Sequence, residues 1–224
     1  VREVVDGVFE LNLGFVHVHL VITDEGVVLV DTGLPGRSAR IDKALAEIRK
    51  TVGDVTTVLL THHHPDHIGN VADLRRRSGA RVFAHAADAP VITGAIERVA
   101  PNRLVKLVLK DPEPTKIDQL ITGDESEPIT GFTALHTPGH TRGHVSYLLD
   151  RAGGILFTGD AATGARGGKV AAAPRMSSVD PAEENRSIAK IATFTFEHAV
   201  FGHGRAISGG AVQRFREYAS AKAR

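Results

Sequence analysis

The chain predicts an α/β fold made of two similar β-α halves. Three observations lead there. Short apolar, β-branched runs alternate with helical stripes: "VTTVLLT" (55–61) precedes the Ile68, Val71, Leu74 spacing, which precedes "RVFAH" (81–85). The runs echo each other: "GVVLVDTG" (26–33) parallels "GGILFTGD" (153–160), and "VLLTHHH" (58–64) parallels "HAVFGHG" (198–204). Each echo ends in a polar turn carrying Asp or His, as a duplicated unit with its turns gathered at one edge requires. The expectation is one domain, 1–224, with pseudo-halves of about 1–110 and 111–224.

The elements follow in order. "VFELNLG" and "FVHVHLVIT" alternate as half-buried strands do, and "GVVLVDTG" is a buried run closed by a turn. From Ser38 to Lys50 a helical stripe carries Ile41, Leu45 and Ile48. "VTTVLLT" is a buried strand. Pro65 then drives His64 out of helical φ/ψ, with Asp66 as the expected N-cap of a helix that Gly79 stops. Residues 86–128 predict one or two short helices and a Pro-rich turn. Val91, Ile92, Ile96, Val99, Leu104, Val105, Leu107 and Val108 read there as one side of the core, with an acyl-binding wall or a homodimer contact as the alternative. "ITGFTALHT", "VSYLLD" and "GGILFTGD" are strands. Asp180-Pro181 with Glu183 opens a capped helix. "HAVFGHG" is a short strand and turn, and "GGAVQRFREYASAKA" an amphipathic terminal helix. The glycine-rich stretch 164–168 reads as a mobile segment.

Composition excludes several classes. With 27 basic against 26 acidic residues, no large electrostatic footprint for nucleic acid or anionic membrane follows from the charge balance. No apolar run approaches the ~20 residues of a bilayer span. The absence of cysteine removes disulfides and thiolate ligands, so metal must be held by histidine and carboxylate. The expected setting is cytoplasmic, although a chain that begins at Val1 leaves a trimmed leader open.

The chemistry concentrates in "THHHPDH" (61–67). His62 and His64 are two apart on an extended segment and project to the same side. Pro65 turns the chain, so Asp66 and His67 face elsewhere. Two incomplete shells result, each needing a further ligand, since a catalytic zinc takes about three protein ligands and water. His140 in "TPGHT", Asp160 in "FTGD" and His203 in "FGHG" each follow an apolar strand, where an α/β edge site is built. His63 is a bystander pointing away. His85, His136, His144 and His198 read as surface or satisfied core histidines. His17 and His19 read as a polar strand face, with His17 at the pocket mouth as the lesser alternative.

The pieces "VDTG", "THHHPDH", "TPGHT", "TGD" and "GHG", in that order, resemble the metallo-β-lactamase superfamily. The resemblance implies a four-layer αββα sandwich. It also implies two metals: His62, His64 and His140 on one, Asp66, His67 and His203 on the other, Asp160 bridging, and Asp31 supporting from behind. The implied cofactor is two Zn2+, with iron and manganese also suited to His/carboxylate shells. Such ions share a hydroxide and polarise a carbonyl or phosphoryl oxygen, with Asp66 orienting the nucleophile.

The expected activity is hydrolysis of a small-molecule ester, lactone or thioester. Within the family, the subclass of β-lactamases that uses cysteine is excluded, and Asp160 argues against the Asp-His-His subclass. "THHHPDHIGN" is similar to glyoxalase II, but 21 residues follow His203 and "AATGARGGKVAAAP" stands where that family has a Gly-Cys-Gly stretch. Lactonases of the family carry tyrosine where this chain has Thr163, which with His17 is the candidate pocket residue. A β-lactamase-like or phosphodiester hydrolase, a mononuclear iron sulfur dioxygenase and a non-catalytic binding protein are the alternatives.

Overall fold

The computed structural model describes residues 1–98 and 110–222. The chain divides into two compact units, Val1–Leu120 and Ile121–Arg224.

The first unit is built on a seven-stranded sheet: β1 (Arg2–Val5), β2 (Val8–Asn12), β3 (His17–Thr23), β4 (Gly26–Val30), β5 (Val55–Leu59), β6 (Arg81–His85) and β7 (Gln119–Ile121), in spatial order 1 to 7. β1 to β4 form an antiparallel meander, whereas β4–β5 and β5–β6 are parallel. A parallel step needs a crossover. α1 (Ser38–Glu47) supplies the first, burying Ile41, Ala44 and Leu45 against Val27, Leu29 and Val58 of the sheet. Pairing of Val30 with Leu59 brings the ends of β4 and β5 level. Asp31 and the 61–67 loop therefore leave the same edge of the sheet.

The expected single helix after Pro65 is two. α2 (Pro65–Ile68) starts with His64 as N-cap, extended at φ −69° and ψ 147°, and Pro65 in its first position; Asp66 lies in the first turn and is not the cap. α3 (Val71–Ser78) restarts at Asn70 and ends, as read, on left-handed Gly79. The interruption has a packing cause. Asn70 Nδ2 donates to the Thr32 and Leu34 carbonyls, and the Gly69 N–H to the Gly33 carbonyl. A Cβ on Gly69 would stand 2.2 Å from Pro35 N and 2.4 Å from Gly33 O, backbone atoms that cannot rotate away. Gly69→Ala is therefore expected to destabilise the chain by about 2 kcal/mol or more. A urea-denaturation midpoint equal to wild type would refute this close approach.

On β2 and β3, the expected polar strand face is buried. His17 and His19 are 6% and 4% exposed, with Glu10, paired across from His19 on the neighbouring strand, buried beside them. Burial pushes the Glu10 carboxyl up, but the His19 hydrogen bond, the His19 and His17 charges and the Arg2 hydrogen bond together bring it down to about 2. In the 86–128 stretch, α4 (Ala89–Ile92) is one of the expected short helices, with Ile92 buried in the unit's core and Ile96 exposed. Val99, Leu104, Val105, Leu107 and Val108 lie outside the described residues.

The second unit has a six-stranded sheet from β8 (Ser126–Ile129), β9 (Phe132–His136), β10 (Val145–Leu149), β11 (Ile155–Phe157), β14 (His198–Val200) and β15 (Ile207–Ser208), in the order 15-14-11-10-9-8. "ITGFTALHT" is not one strand: Thr130-Gly131 turns, and Ile129 pairs back on Phe132. β9–β10 and β10–β11 are antiparallel and β11–β14 parallel, so β9, β11 and β14 all run the same way. The turns that follow them, holding His140, Asp160 and His203, gather at one edge. Both units thus contain an antiparallel pair followed by a parallel crossover, β3-β4-β5 and β10-β11-β14, matching the sequence echoes.

α5 (Pro181–Ile191) begins as the sequence indicates, with the Asp180 side chain accepting the Ala182 and Glu183 N–H groups. Its Ile188 and Ile191 pack with Leu156, Phe196 and Phe201 and with Phe215 of α6 (Ala211–Lys222). The glycine-rich stretch, read as mobile, is a hairpin of β12 (Thr163–Ala165) and β13 (Lys169–Ala171). Gly164 bridges to Gly204, and a Cβ there would meet Arg205 O at 2.0 Å. Close backbone approach, not freedom of motion, explains that glycine.

Candidate metal centre

In the first unit, one carboxylate organises the histidine loop from behind. Asp31 follows β4 in the left-handed region at φ 61° and is 3% exposed. Its Oδ1 accepts the Thr61 N–H at 2.8 Å, and its Oδ2 accepts the Thr61 hydroxyl and His67 Nδ1, both at 2.7 Å. Both ends of the loop are thereby tied to one residue. The His67 carbonyl accepts from Thr32 N and Thr32 Oγ1, which fixes the helix start. With Nδ1 donating, His67 carries its lone pair on Nε2, 3.8 Å from Asp66 Oδ2.

His62 and His64 come together as the spacing requires: Nε2 and Nδ1 are 3.0 Å apart, and the His62 and His67 rings have centroids 4.1 Å apart. His63 is turned away, its N–H and Nδ1 lying 3.0 and 2.9 Å from Asp88 Oδ2. The bystander reading of His63 agrees with this geometry, and Asp88 is the partner that sequence reasoning did not name.

In the second unit, Asp160 Oδ2 lies between two imidazoles, 3.4 Å from His140 Nε2 and 3.2 Å from His203 Nε2. Bonds of ~2.1 Å to a shared tetrahedral ion place ligand atoms ~3.4 Å apart, so these separations suit donors on common cations. His144, read as a surface or core histidine, is fully buried and has a further task. Its Nε2 accepts the Asp160 N–H at 2.9 Å, while its Nδ1 meets Thr137 Oγ1 at 2.9 Å and is thereby oriented. The signal was present in "HTRGH", four residues past His140, but nothing local says that this ring reaches Asp160.

The candidate pocket residues are placed less tellingly. Thr163 starts β12, half-buried, its hydroxyl donating to the Ala171 carbonyl at 3.3 Å. His17 is buried, with Nε2 3.2 Å from Asn12 Nδ2.

The donor chemistry fits divalent metal. The clusters are imidazole and carboxylate only, and the ligating atoms of His62 with His64, His62 with His67 and Asp66 with His67 lie within 4.8 Å of each other. No helix among the described residues is long and apolar enough to cross a membrane.

A hydroxyacylglutathione hydrolase from Pseudomonas paraeruginosa is 32% identical over 147 residues, covering 66% of this chain and 46% of that protein. A probable metallo-hydrolase, YybB, from Bacillus subtilis is 33% identical over 165 residues, covering 68% of this chain and 66% of that protein. The chain thus spans about half to two thirds of these relatives' length. A solved metallo-β-lactamase family protein from Thermus thermophilus superposes with a TM-score of 0.74 at 25% identity, covering 97% of this chain and 79% of that one. The fold is accordingly the metallo-β-lactamase fold, two mixed sheets with helices. The model of the metallo-beta-lactamase superfamily matches residues 11–203, which takes in every histidine and aspartate described above, and the chain belongs to that superfamily.

Proposed function

We propose that the chain is a binuclear metal-dependent hydrolase of a carbonyl-centred bond: ester, lactone or thioester. One observation carries the reading. Asp160 Oδ2 faces His140 Nε2 and His203 Nε2 at near-equal distances, as a carboxylate shared by two ions would. In this reading His62, His64 and His140 would hold one zinc, Asp66, His67 and His203 would hold the second, and Asp160 would serve both. When bound, such a pair activates water near neutral pH and polarises the scissile carbonyl.

The chain's own residues do the rest. Asp31 keeps the proton of His67 on Nδ1 so that Nε2 faces outward as a ligand. Asp66, half-buried beside His67, orients the attacking water and takes up its proton. His144 holds the Asp160 backbone so that the carboxylate is presented between the two imidazoles. The relatives named hydroxyacylglutathione hydrolase support the thioester end of the range. Thr163, in place of a longer tyrosine, weighs against a preference for lactones.

The test is a substrate panel run on zinc-loaded protein: thioesters, activated esters, lactones, β-lactams and phosphodiesters. At least one carbonyl substrate is expected to turn over, to fall about 100-fold or more after chelation, and to recover with zinc. Turnover of phosphodiesters alone overturns the carbonyl reading. One iron per chain with oxidation of a sulfur substrate overturns the binuclear one.

A further inference from the structure

The segment 178–187 is laced onto the turn that carries His140. Val179 N donates to the His140 carbonyl at 3.2 Å, Asp180 N to the Gly139 carbonyl at 2.8 Å, and Ser187 Oγ to the Pro138 carbonyl at 2.6 Å. Inside this lacing lies a buried carboxylate. Glu184 is 1% exposed, and burying a carboxylate is costly unless its oxygens are matched. Its Oε1 accepts the Ala173 N–H at 2.7 Å, and its Oε2 accepts the Ser178 hydroxyl. The helix does not need Glu184 as a cap, because Asp180 already caps it.

A serine hydroxyl has one proton. With that proton given to Glu184, Ser178 presents lone pairs on its other side, where His140 Nδ1 lies 3.5 Å away. The matching state of His140 has its proton on Nδ1 and its lone pair on Nε2, the atom that faces Asp160. The first unit contains the direct version of the same device, Asp31 on His67 Nδ1. The second unit reaches the same result with one hydroxyl interposed.

We infer that Glu184, acting through Ser178, is a positioning residue that fixes the ring orientation and tautomer of His140 for metal ligation. The inference rests on the metal reading above and adds a buried carboxylate relay to it. Its chemistry is that of a carboxylate backing a ligating imidazole, here at one remove.

The experiment measures zinc retention by competition with a chromophoric chelator on the full chain, with the melting temperature of metal-free protein alongside. Ser178→Ala breaks the relay and leaves the Glu184–Ala173 bond in place. It is expected to weaken retention of one zinc by about 10- to 100-fold. Metal-free melting should fall as well, because Glu184 Oε2 loses its donor, so retention is compared at a temperature where every variant is folded. Ser178→Thr, which keeps a hydroxyl, is expected to restore most of that loss. Glu184→Gln, which keeps the Ala173 acceptor but not the charge, is expected to fall between them. Wild-type retention in Ser178→Ala overturns the relay, and so does Ser178→Thr behaving like Ser178→Ala. A wild-type protein that holds no zinc overturns the metal reading itself, which separates the two failures.

Discussion

Asp160→Asn is expected, on the proposed binuclear reading, to reduce hydrolysis by more than about 100-fold and to lower zinc content from two ions per chain toward one. Loss of a residue behind a ligand costs about 10- to 100-fold, so loss of a shared ligand should exceed that range. The substitution is nearly isosteric. The Asp160 N–H still donates to His144 Nε2, and the strand end that carries it is unchanged. What disappears is the negative charge between His140 Nε2 and His203 Nε2, at 3.4 and 3.2 Å. An amide offers one neutral oxygen, and its NH2 would face one of the two imidazole nitrogens instead. Metal analysis and kcat on the same preparation check the prediction together. Two zinc ions retained with activity within about tenfold of wild type would mean that Asp160 supports the site without ligating it.

The part of this site that was legible in the sequence is the part set by short-range geometry. His62, His64, Asp66 and His67 fall within six residues, so strand alternation and one proline suffice to sort them into two pairs. His140, Asp160 and His203 were legible because each follows an apolar strand, and β9, β11 and β14 run the same way; Asp31 was legible only through the resemblance of "VDTG" to the family's motif. The residues behind them were not legible. His144 reaches Asp160 across 16 positions, and Asp88 holds His63 across 25, contacts that follow only from sheet order. Glu184 was not singled out beside Glu183 in the first turn of α5, and its burial depends on how that helix lies over the His140 turn. The division of the 65–78 helix was hidden for the same reason. Asn70 and Gly69 give up helical continuity to bond the 32–34 backbone, a partner more than thirty residues away. The depth of the His17–His19 face was not legible because alternation reports which side chains share a face, not how far that face is buried.

Two substitutions at Asp31 are expected to separate backbone conformation from charge. Asp31→Ala should destabilise the metal-free chain by about 3–5 kcal/mol, the range for removing one partner of a buried charged network. Two causes combine there. Alanine at φ 61° bears a left-handed penalty of roughly 1–2 kcal/mol, which Asp and Asn partly escape. Three donors, Thr61 N, Thr61 Oγ1 and His67 Nδ1, also lose their acceptor in a buried site. Asp31→Asn should behave differently. Asparagine tolerates the left-handed backbone, and its one oxygen can still accept the Thr61 N–H, so the stability cost should be about 1–2 kcal/mol. Its NH2, however, is a donor aimed where His67 Nδ1 also donates. Relief comes if His67 moves its proton to Nε2, which takes that nitrogen out of the ligand set. Asp31→Asn is therefore expected to weaken retention of the zinc that His67 is proposed to hold by about 10- to 100-fold while leaving most of the fold's stability in place. Urea denaturation of the metal-free variants reads the first effect, and chelator competition reads the second. Equal stability of the two variants would show that the strained backbone at Asp31 contributes nothing. Wild-type zinc retention in Asp31→Asn would show that His67 does not depend on that carboxylate to present Nε2.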